Sequence, residues 1–285
     1  MKQGDYCVRI SYGKDVIFRI EYIIQNTAVL RGVEFRLIAD APLSDLERVE
    51  GTFSNSAALG YDLRFTETRK RMEQFRKVQV EKQMRTMGEA GLESSYFEVP
   101  GKVLHLDGDA SYLRKSMDLY RRLKVPVEGH YVAEKDMADA LLRLLPNSRP
   151  DIVVITGHDG MIKSEAEQNK YHLSSYKNST HFVKAIRAAR QFEKNIDTLT
   201  VIAGACQSHF EALLQAGANF ASSPGRILIH ALDPVQIACK VSYTSIQESV
   251  NMMDVISNTV SGIKGMGGIE TRGSYRIGLP NIQHM

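Results

Sequence analysis

At 285 residues, with 43% hydrophobic and 24% charged side chains, the chain can bury a full core and is long for one average domain, so one large and one small domain are expected. A net charge of +3 spread over this length gives no argument for nucleic acid as partner. The start, Met1-Lys2-Gln3-Gly4-Asp5, lacks an apolar leader, and no later run reaches the roughly 18 apolar residues of a membrane span, so a cytosolic protein is expected.

Residues 4–38 alternate apolar and polar side chains in short β-branched runs, Tyr6-Cys7-Val8-Arg9-Ile10, Val16-Ile17-Phe18-Arg19-Ile20 and Ala28-Val29-Leu30, punctuated by Gly13 and Asn26. This predicts a small antiparallel barrel or curled sheet as domain 1–50. Residues 51–100 read as a linker. Within it, a helical stretch over 63–87 carries Arg64, Arg69, Lys70, Arg71, Arg76, Lys77, Lys82 and Arg85, and is expected to be exposed.

From Lys102 onward short apolar runs alternate with helix-period segments, the pattern of a mostly parallel sheet covered by helices, and this forms domain 101–285. Strands are predicted at 103–106, 127–132, 152–156, 199–203, 219–221 and 227–232, with helices at 111–123, 135–145, 181–192 and 209–216. A last helix, 246–259, leads into a glycine-rich stretch at 262–273. The working edge of such an α/β sheet is at the strands' carboxyl ends.

Two of these strands end in reactive side chains. Ile152-Val153-Val154-Ile155-Thr156 opens into Gly157-His158-Asp159-Gly160, and Leu199-Thr200-Val201-Ile202-Ala203 opens into Gly204-Ala205-Cys206-Gln207-Ser208. If the strands are neighbours, roughly 5 Å apart, His158 and Cys206 face one cleft. Ser208-His209-Phe210-Glu211 has the form of a capping box, which would start a helix just after Cys206 and favour its thiolate. Main-chain N–H groups near Gly160 and Cys206 are placed to hold the oxyanion of a tetrahedral intermediate. Taken singly, a cysteine after an apolar strand is usually a small packing residue. It is the pairing of two strand ends that points to nucleophile and base.

Cys7 and Cys239 lie in apolar runs and read as packing residues. Three cysteines far apart argue against a disulfide framework, and no His or Cys pair has metal-ligand spacing, so neither metal nor cofactor is called for. Gly157 to Ser164 ends like a phosphate-binding loop but has Ile162 where glycine is needed, and Gly265-Met266-Gly267-Gly268-Ile269-Glu270 lacks the final glycine of a dinucleotide fingerprint.

The Thr156-Gly157-His158-Asp159-Gly160 and Ala203-Gly204-Ala205-Cys206-Gln207-Ser208 blocks resemble the caspase, gingipain and clostripain clan of cysteine peptidases, in which the His is followed directly by Gly where this chain has His-Asp-Gly. His158 and Cys206 are 48 residues apart, close to the roughly 50 of caspases. The resemblance implies a caspase-like sheet behind a small SH3-like β-barrel. Longer blocks, Leu104-His105-Leu106-Asp107-Gly108-Asp109, Ala216 to Pro224 and Ile229-His230-Ala231-Leu232-Asp233-Pro234, resemble a family of sporulation-specific proteases of spore-forming Firmicutes. That implies spore coat and cortex-associated proteins as substrates, in the mother-cell cytoplasm.

Clan members that cut after arginine carry a pocket carboxylate following a glycine beyond the first strand, which by resemblance falls on Asp109, with Asp107, Asp159 and Asp233 as fallbacks. A carboxylate suits a guanidinium through paired hydrogen bonds. Asp109 reads equally well as the N-cap of the helix starting near Ser111. An arginine pocket would make the stretch Arg64 to Arg85 a run of self-processing sites. The rival is a non-catalytic binding protein gripping RNA or a coat protein through the barrel and basic helix, although the chain has no aromatic RNA-binding motif.

Overall fold

The computed structural model describes residues 1–49, 56–89, 97–162 and 169–278. The linker pieces 50–55 and 90–96, the Lys163-Ser164 end of the loop lookalike and the tail from 279 lie outside the described residues.

The amino-terminal alternation does produce an antiparallel sheet. β1 (Tyr6–Arg9), β2 (Ile17–Ile24), β3 (Thr27–Gly32), β4 (Ile38–Pro42) and β5 (Leu46–Arg48) pair in the order β4-β3-β2-β1-β5. Period two turns Phe18, Ile20, Ala28 and Leu30 to one face, where they meet Cys7, Val16, Phe35, Ala41 and Leu46. The sequence pattern missed β4 and β5, whose polar residues at sheet edges blur the alternation.

The basic stretch is a 34-residue helix, α1 (Ser56–Glu89), but it is not wholly exposed as expected. Met72 and Thr68 are buried, Phe65 and Phe75 pack on the main core, and Arg76 Nε donates to Tyr243 Oη at 3.0 Å. The apolar spacing 65, 68, 72, 75 is one helix stripe, outnumbered by charge in the sequence but sufficient to dock the helix.

After β6 (Phe97–Val99), the chain builds β7 (Val103–Asp107), α2 (Ala110–Arg122), β8 (Val127–Tyr131), α3 (Met137–Ser148), β9 (Ile152–Thr156), α4 (Ser179–Phe192), β10 (Thr200–Ala203), α5 (Phe210–Gln215), β11 (Phe220–Ser222) and α6 (Asp233–Tyr243). Then come β12 (Ser249–Val250), α7 (Met252–Ser257), α8 (Gly262–Gly265), β13 (Met266–Gly268), β14 (Thr271–Arg272) and β15 (Arg276–Gly278). The six-stranded sheet runs β13-β11-β10-β9-β7-β8, parallel throughout except for β13, which pairs antiparallel with β11. Alternation along the central strands sends Val103, Ile152, Val154 and Ile202 toward α1, α2 and α6. Leu104, Leu106, Val153, Ile155 and Val201 go to the other face, against α3, α4 and α5. Full burial of each such side chain contributes about 1.5–3 kcal/mol.

Two expectations need correction, and one helix, α6, went unpredicted. Residues 227–232 form no strand of the sheet. They cross its carboxyl edge, where Ile227 O accepts from Gln207 N at 3.1 Å and Ala231 N donates to Glu34 O at 2.8 Å. The predicted helix 246–259 is β12 followed by the short α7, and the glycine-rich stretch supplies β13, which its lack of β-branched residues concealed. Finally, the Val235 to Val241 run around Cys239 is the buried α6, apolar on all sides and so without readable period.

Gly204 leaves β10 with φ +113°, and a Cβ there would stand 2.8 Å from Leu213 Cδ1 and 3.0 Å from Ser222 Cβ. Gly204→Ala is expected to lower stability by about 1–3 kcal/mol in denaturant unfolding, through combined backbone strain and overpacking.

Candidate active site

β9 and β10 are parallel neighbours with Ile155 opposite Ala203, so their outgoing loops rise side by side from the carboxyl edge. The residue that locks these loops together is Asp159. Its Oδ1 accepts from Gly160 N (2.9 Å) and Asn178 N (2.8 Å), and its Oδ2 from Ser179 Oγ (2.5 Å) and Ser208 Oγ (2.9 Å). Ser208 Oγ in turn accepts from Ala205 N at 2.9 Å, which completes a strut from the His158 loop to the Cys206 loop. Burial pushes Asp159 above the ordinary carboxylate range, and the four donors act against that rise. The aspartate that departs from the His-Gly pattern therefore braces the two loops.

His158 is held on three sides. Its N–H donates to Glu134 Oε1 at 2.7 Å, Nε2 lies 2.8 Å from Asp109 Oδ2, and Nδ1 lies 3.2 Å from the Arg36 carbonyl oxygen. Gly108 and Gly157 make room for Glu134, because a Cβ on either would fall within 2.5 Å of its Oε1. Burial, and then the charge of Arg36, push the imidazole below its ordinary pKa, so the ring is neutral near pH 7. A neutral ring has one N–H to give. Both ring nitrogens face acceptors, so one N–H satisfies one of them. The shorter contact, to the Asp109 carboxylate, favours Nε2–H, and Nδ1 can serve as a base only once the Arg36 carbonyl has moved away.

Asp109 serves both readings of the sequence only in part. It is the N-cap of α2, accepting from Ser111 N (2.8 Å) and Tyr112 N (3.2 Å), while its second oxygen meets His158 and Arg31. It orients the histidine. Both carboxylates hold an arginine, Asp109 pairing with Arg31 and Asp107 with Arg36, and the Asp107 pair is the fully buried one, its Oδ1 2.7 Å from Arg36 Nη1. Burial would raise Asp107, but the Arg36 cation and His105 outweigh it and hold the carboxyl at about 2. Asp233, the remaining fallback, accepts from Val260 N and Ser261 N at 2.8 and 3.1 Å, so it braces α6 against the α7–α8 turn.

Cys206 is buried at 1% exposure. Its Sγ accepts from Ile229 N at 3.3 Å and lies 3.6 Å from Ile229 O. Burial pushes the thiol up to about 11, against main-chain hydrogen bonds from Ile229 and Arg36 and the charge of Arg36. The expected capping box is absent. Ser208 is spent on Asp159, and His209 caps α5, its Nδ1 accepting from Ala212 N. Among the described residues no hydrogen bond joins His158 to Cys206; the Arg36 main chain contacts both. Gly160 N–H, read as an oxyanion donor, already donates to Asp159. Cys7 and Cys239 are buried free thiols in the two cores.

An open cleft of about 770 Å³ runs along this edge, lined by Arg36, Leu37, Glu134, His158, Gly160 and Gln207 among others. Arg36, Glu134 and Tyr112 were invisible as site residues, because each is remote in sequence and carries no motif. Asp159 had one signal, the extra residue between His and Gly.

Over residues 2–280 the chain matches the family described as YabG peptidase U57. It is 45% identical over 283 residues to the sporulation-specific protease YabG of Bacillus subtilis (strain 168), covering 97% of this chain and 97% of that one. The chain belongs to the YabG peptidase family. A solved structure of the Salmonella typhimurium RcsB response regulator aligns with a TM-score of 0.28 and 17% identity, over 42% of this chain and 50% of that one. Membership in a peptidase family makes peptide-bond hydrolysis the class of reaction, and the non-catalytic binding reading is not favoured.

Asp109→Asn keeps a side chain able to cap α2 and removes the anion beside His158. Loss of that anion disfavours the imidazolium, so kcat for peptide hydrolysis should fall by on the order of 10²-fold and the acid limb of its pH profile should move to lower pH. A purely structural role would leave the limb in place.

Proposed function

We propose that this chain is a cysteine endopeptidase that cuts after arginine, with Cys206 as nucleophile, His158 as acid/base and Asp107 at the base of the specificity pocket. The observation that carries the reading is the company Cys206 keeps. On one sheet edge stand a buried thiol, an imidazole whose far nitrogen is fixed by Asp109, and a buried carboxylate already closed on a guanidinium.

In this mechanism His158 Nδ1 takes the thiol proton as Cys206 Sγ attacks the carbonyl carbon after arginine. The oxyanion is met by the main-chain N–H of Cys206, joined by that of Gly160 once it leaves Asp159. Nδ1–H then protonates the departing amine, and in the second half takes a proton from the water that hydrolyses the thioester. Asp109 steadies the imidazolium between the two steps. No metal or cofactor enters these steps. The sheet, in this reading, is the caspase-like one, and the amino-terminal strands form an SH3-like unit.

The name of the Bacillus subtilis relative supports a role in sporulation; spore coat and cortex-associated proteins in the mother cell are the substrates of this reading. Self-processing within α1 belongs to the same reading. A peptidase takes its substrate extended, so the arginines from Arg64 to Arg85 become cleavable only where α1 unwinds.

The test is incubation of wild-type and Cys206→Ala protein with a mixed peptide library, the cut sites read by mass spectrometry. Cuts after arginine made by wild type and lost in Cys206→Ala are expected. Cuts that persist in Cys206→Ala, or that ignore arginine, would sink the assignment.

A further inference from the structure

Arg36 lies on the loop between β3 and β4, in the amino-terminal sheet, yet its side chain is 0% exposed and buried under the peptidase site. Nη1 is 2.7 Å from Asp107 Oδ1, Nη2 donates to Ala231 O at 3.2 Å, and the guanidinium carbon sits 5.0 Å from the centre of the Tyr112 ring. A buried arginine on an ion pair, a carbonyl and an aromatic face is the set of contacts a peptidase pocket offers an arginyl substrate.

The backbone on either side extends the likeness. Phe35 forms an antiparallel bridge with His230, and Glu34 O accepts from Ala231 N at 2.8 Å. Residues 34–35 thus lie antiparallel along 230–231 through a single β-bridge, a short piece of the pairing by which extended peptides are gripped. The carbonyl oxygen of Arg36 then lies 3.2 Å from His158 Nδ1, and its main chain also bears on the Cys206 thiol, opposing the rise that burial causes.

We propose that residues 34–36 are a built-in occupant of the substrate strand's place, with Arg36 in the arginine pocket, and that they hold the peptidase closed until they are displaced. The proposal rests on the reading of Cys206, His158 and Asp107 given above. The loop inhibits and is not a good substrate, because Leu37 N donates to Phe35 O at 2.7 Å and closes a tight turn at Arg36 where a scissile residue must be extended. Arg31 on Asp109, Lys115 Nζ on Val33 O (2.6 Å), and the Tyr112 hydroxyl on the carbonyls of Gly32 and Phe35 tie the loop down. The fit is also incomplete. Arg36 Nε and Asp107 Oδ2 have no hydrogen-bond partner among the described residues, His105 Nε2 standing 3.6 Å from Oδ2, so a substrate arginine that bonds its own Nε and also reaches Asp107 Oδ2 competes for the pocket.

The experiment compares wild type, Arg36→Gln and Tyr112→Phe, the last retaining the Arg36–Asp107 pair and losing the hydroxyl that holds the loop. Two readouts are taken: kcat/KM on a blocked Phe-Arg peptide with a fluorogenic amide, and the rate at which an arginyl acyloxymethyl ketone labels Cys206. If the closed form is about 90% or more of the population, freeing the loop raises both rates by about tenfold or more. A synthetic peptide of residues 32–38 should inhibit the freed enzyme competitively. Folded variants that react no faster than wild type, on an enzyme that does cut after arginine, would overturn the closed-loop proposal alone. Silence of all three toward both reagents overturns instead the arginine-peptidase reading beneath it. Should Arg36→Gln fail to fold, Tyr112→Phe and the 32–38 peptide decide the matter.

Discussion

Two charges buried from water, on Arg36 and Asp107, join the halves of this molecule. The pair is fully desolvated, and each ion alone would be expensive in that setting, so neither half of the site is indifferent to the other. Breaking such a pair by removing one partner typically costs about 3–5 kcal/mol, a large share of a domain's stability. The cation on the amino-terminal loop also acts on the chemistry nearby. It holds Asp107 ionised, opposes the charging of His158 and leans against the burial that raises Cys206. Arg36, Asp107, His158 and Cys206 are therefore electrostatically one unit.

The second constraint is the parallel pairing of β9 and β10. Parallel neighbours bring both outgoing loops to one edge, but the connections from Gly157 to Asn178 and from Gly204 to His209 leave the side chains free to miss each other. Asp159 removes that freedom with four hydrogen bonds, tying its own loop to the start of α4 and to Ser208 beyond the cysteine. A carboxylate in this role suits a buried junction, since it accepts from several donors at once and needs no partner charge when fully bonded. Behind it, Glu134 reaches the His158 main chain through a gap that only Gly108 and Gly157 leave open.

Helix α1 adds a further link. Phe65 stacks on the His230 ring at 5.1 Å between centroids, on the segment whose main chain pairs with Phe35. The linker helix, the edge segment 230–231 and the amino-terminal loop are therefore in series. A change in the seating of α1 reaches the site through one aromatic contact.

Periodicity and strand punctuation were enough to read the parallel sheet, most of its helices, the first three amino-terminal strands and the two strand ends bearing His158 and Cys206. These are local signals: alternation of two, apolar runs bounded by glycine, reactive residues just after a strand. They failed where neighbours outvoted local pattern, as in residues 227–232, which look like a strand but bond to a cysteine sulfur and to a loop from the other end of the chain. Sequence also allowed Asp109 to be pocket or cap, and gave Ser208 to a capping box. Only the folded chain shows Asp109 capping α2 while orienting His158, Ser208 spent on Asp159, and Arg36 brought across 71 residues to Asp107. Which reactive side chains reach the sheet's carboxyl edge was set by their places after strands. Which carboxylate meets which cation was set by packing, because an ion pair depends on distance in space and on exclusion of water, and neither is written along the chain.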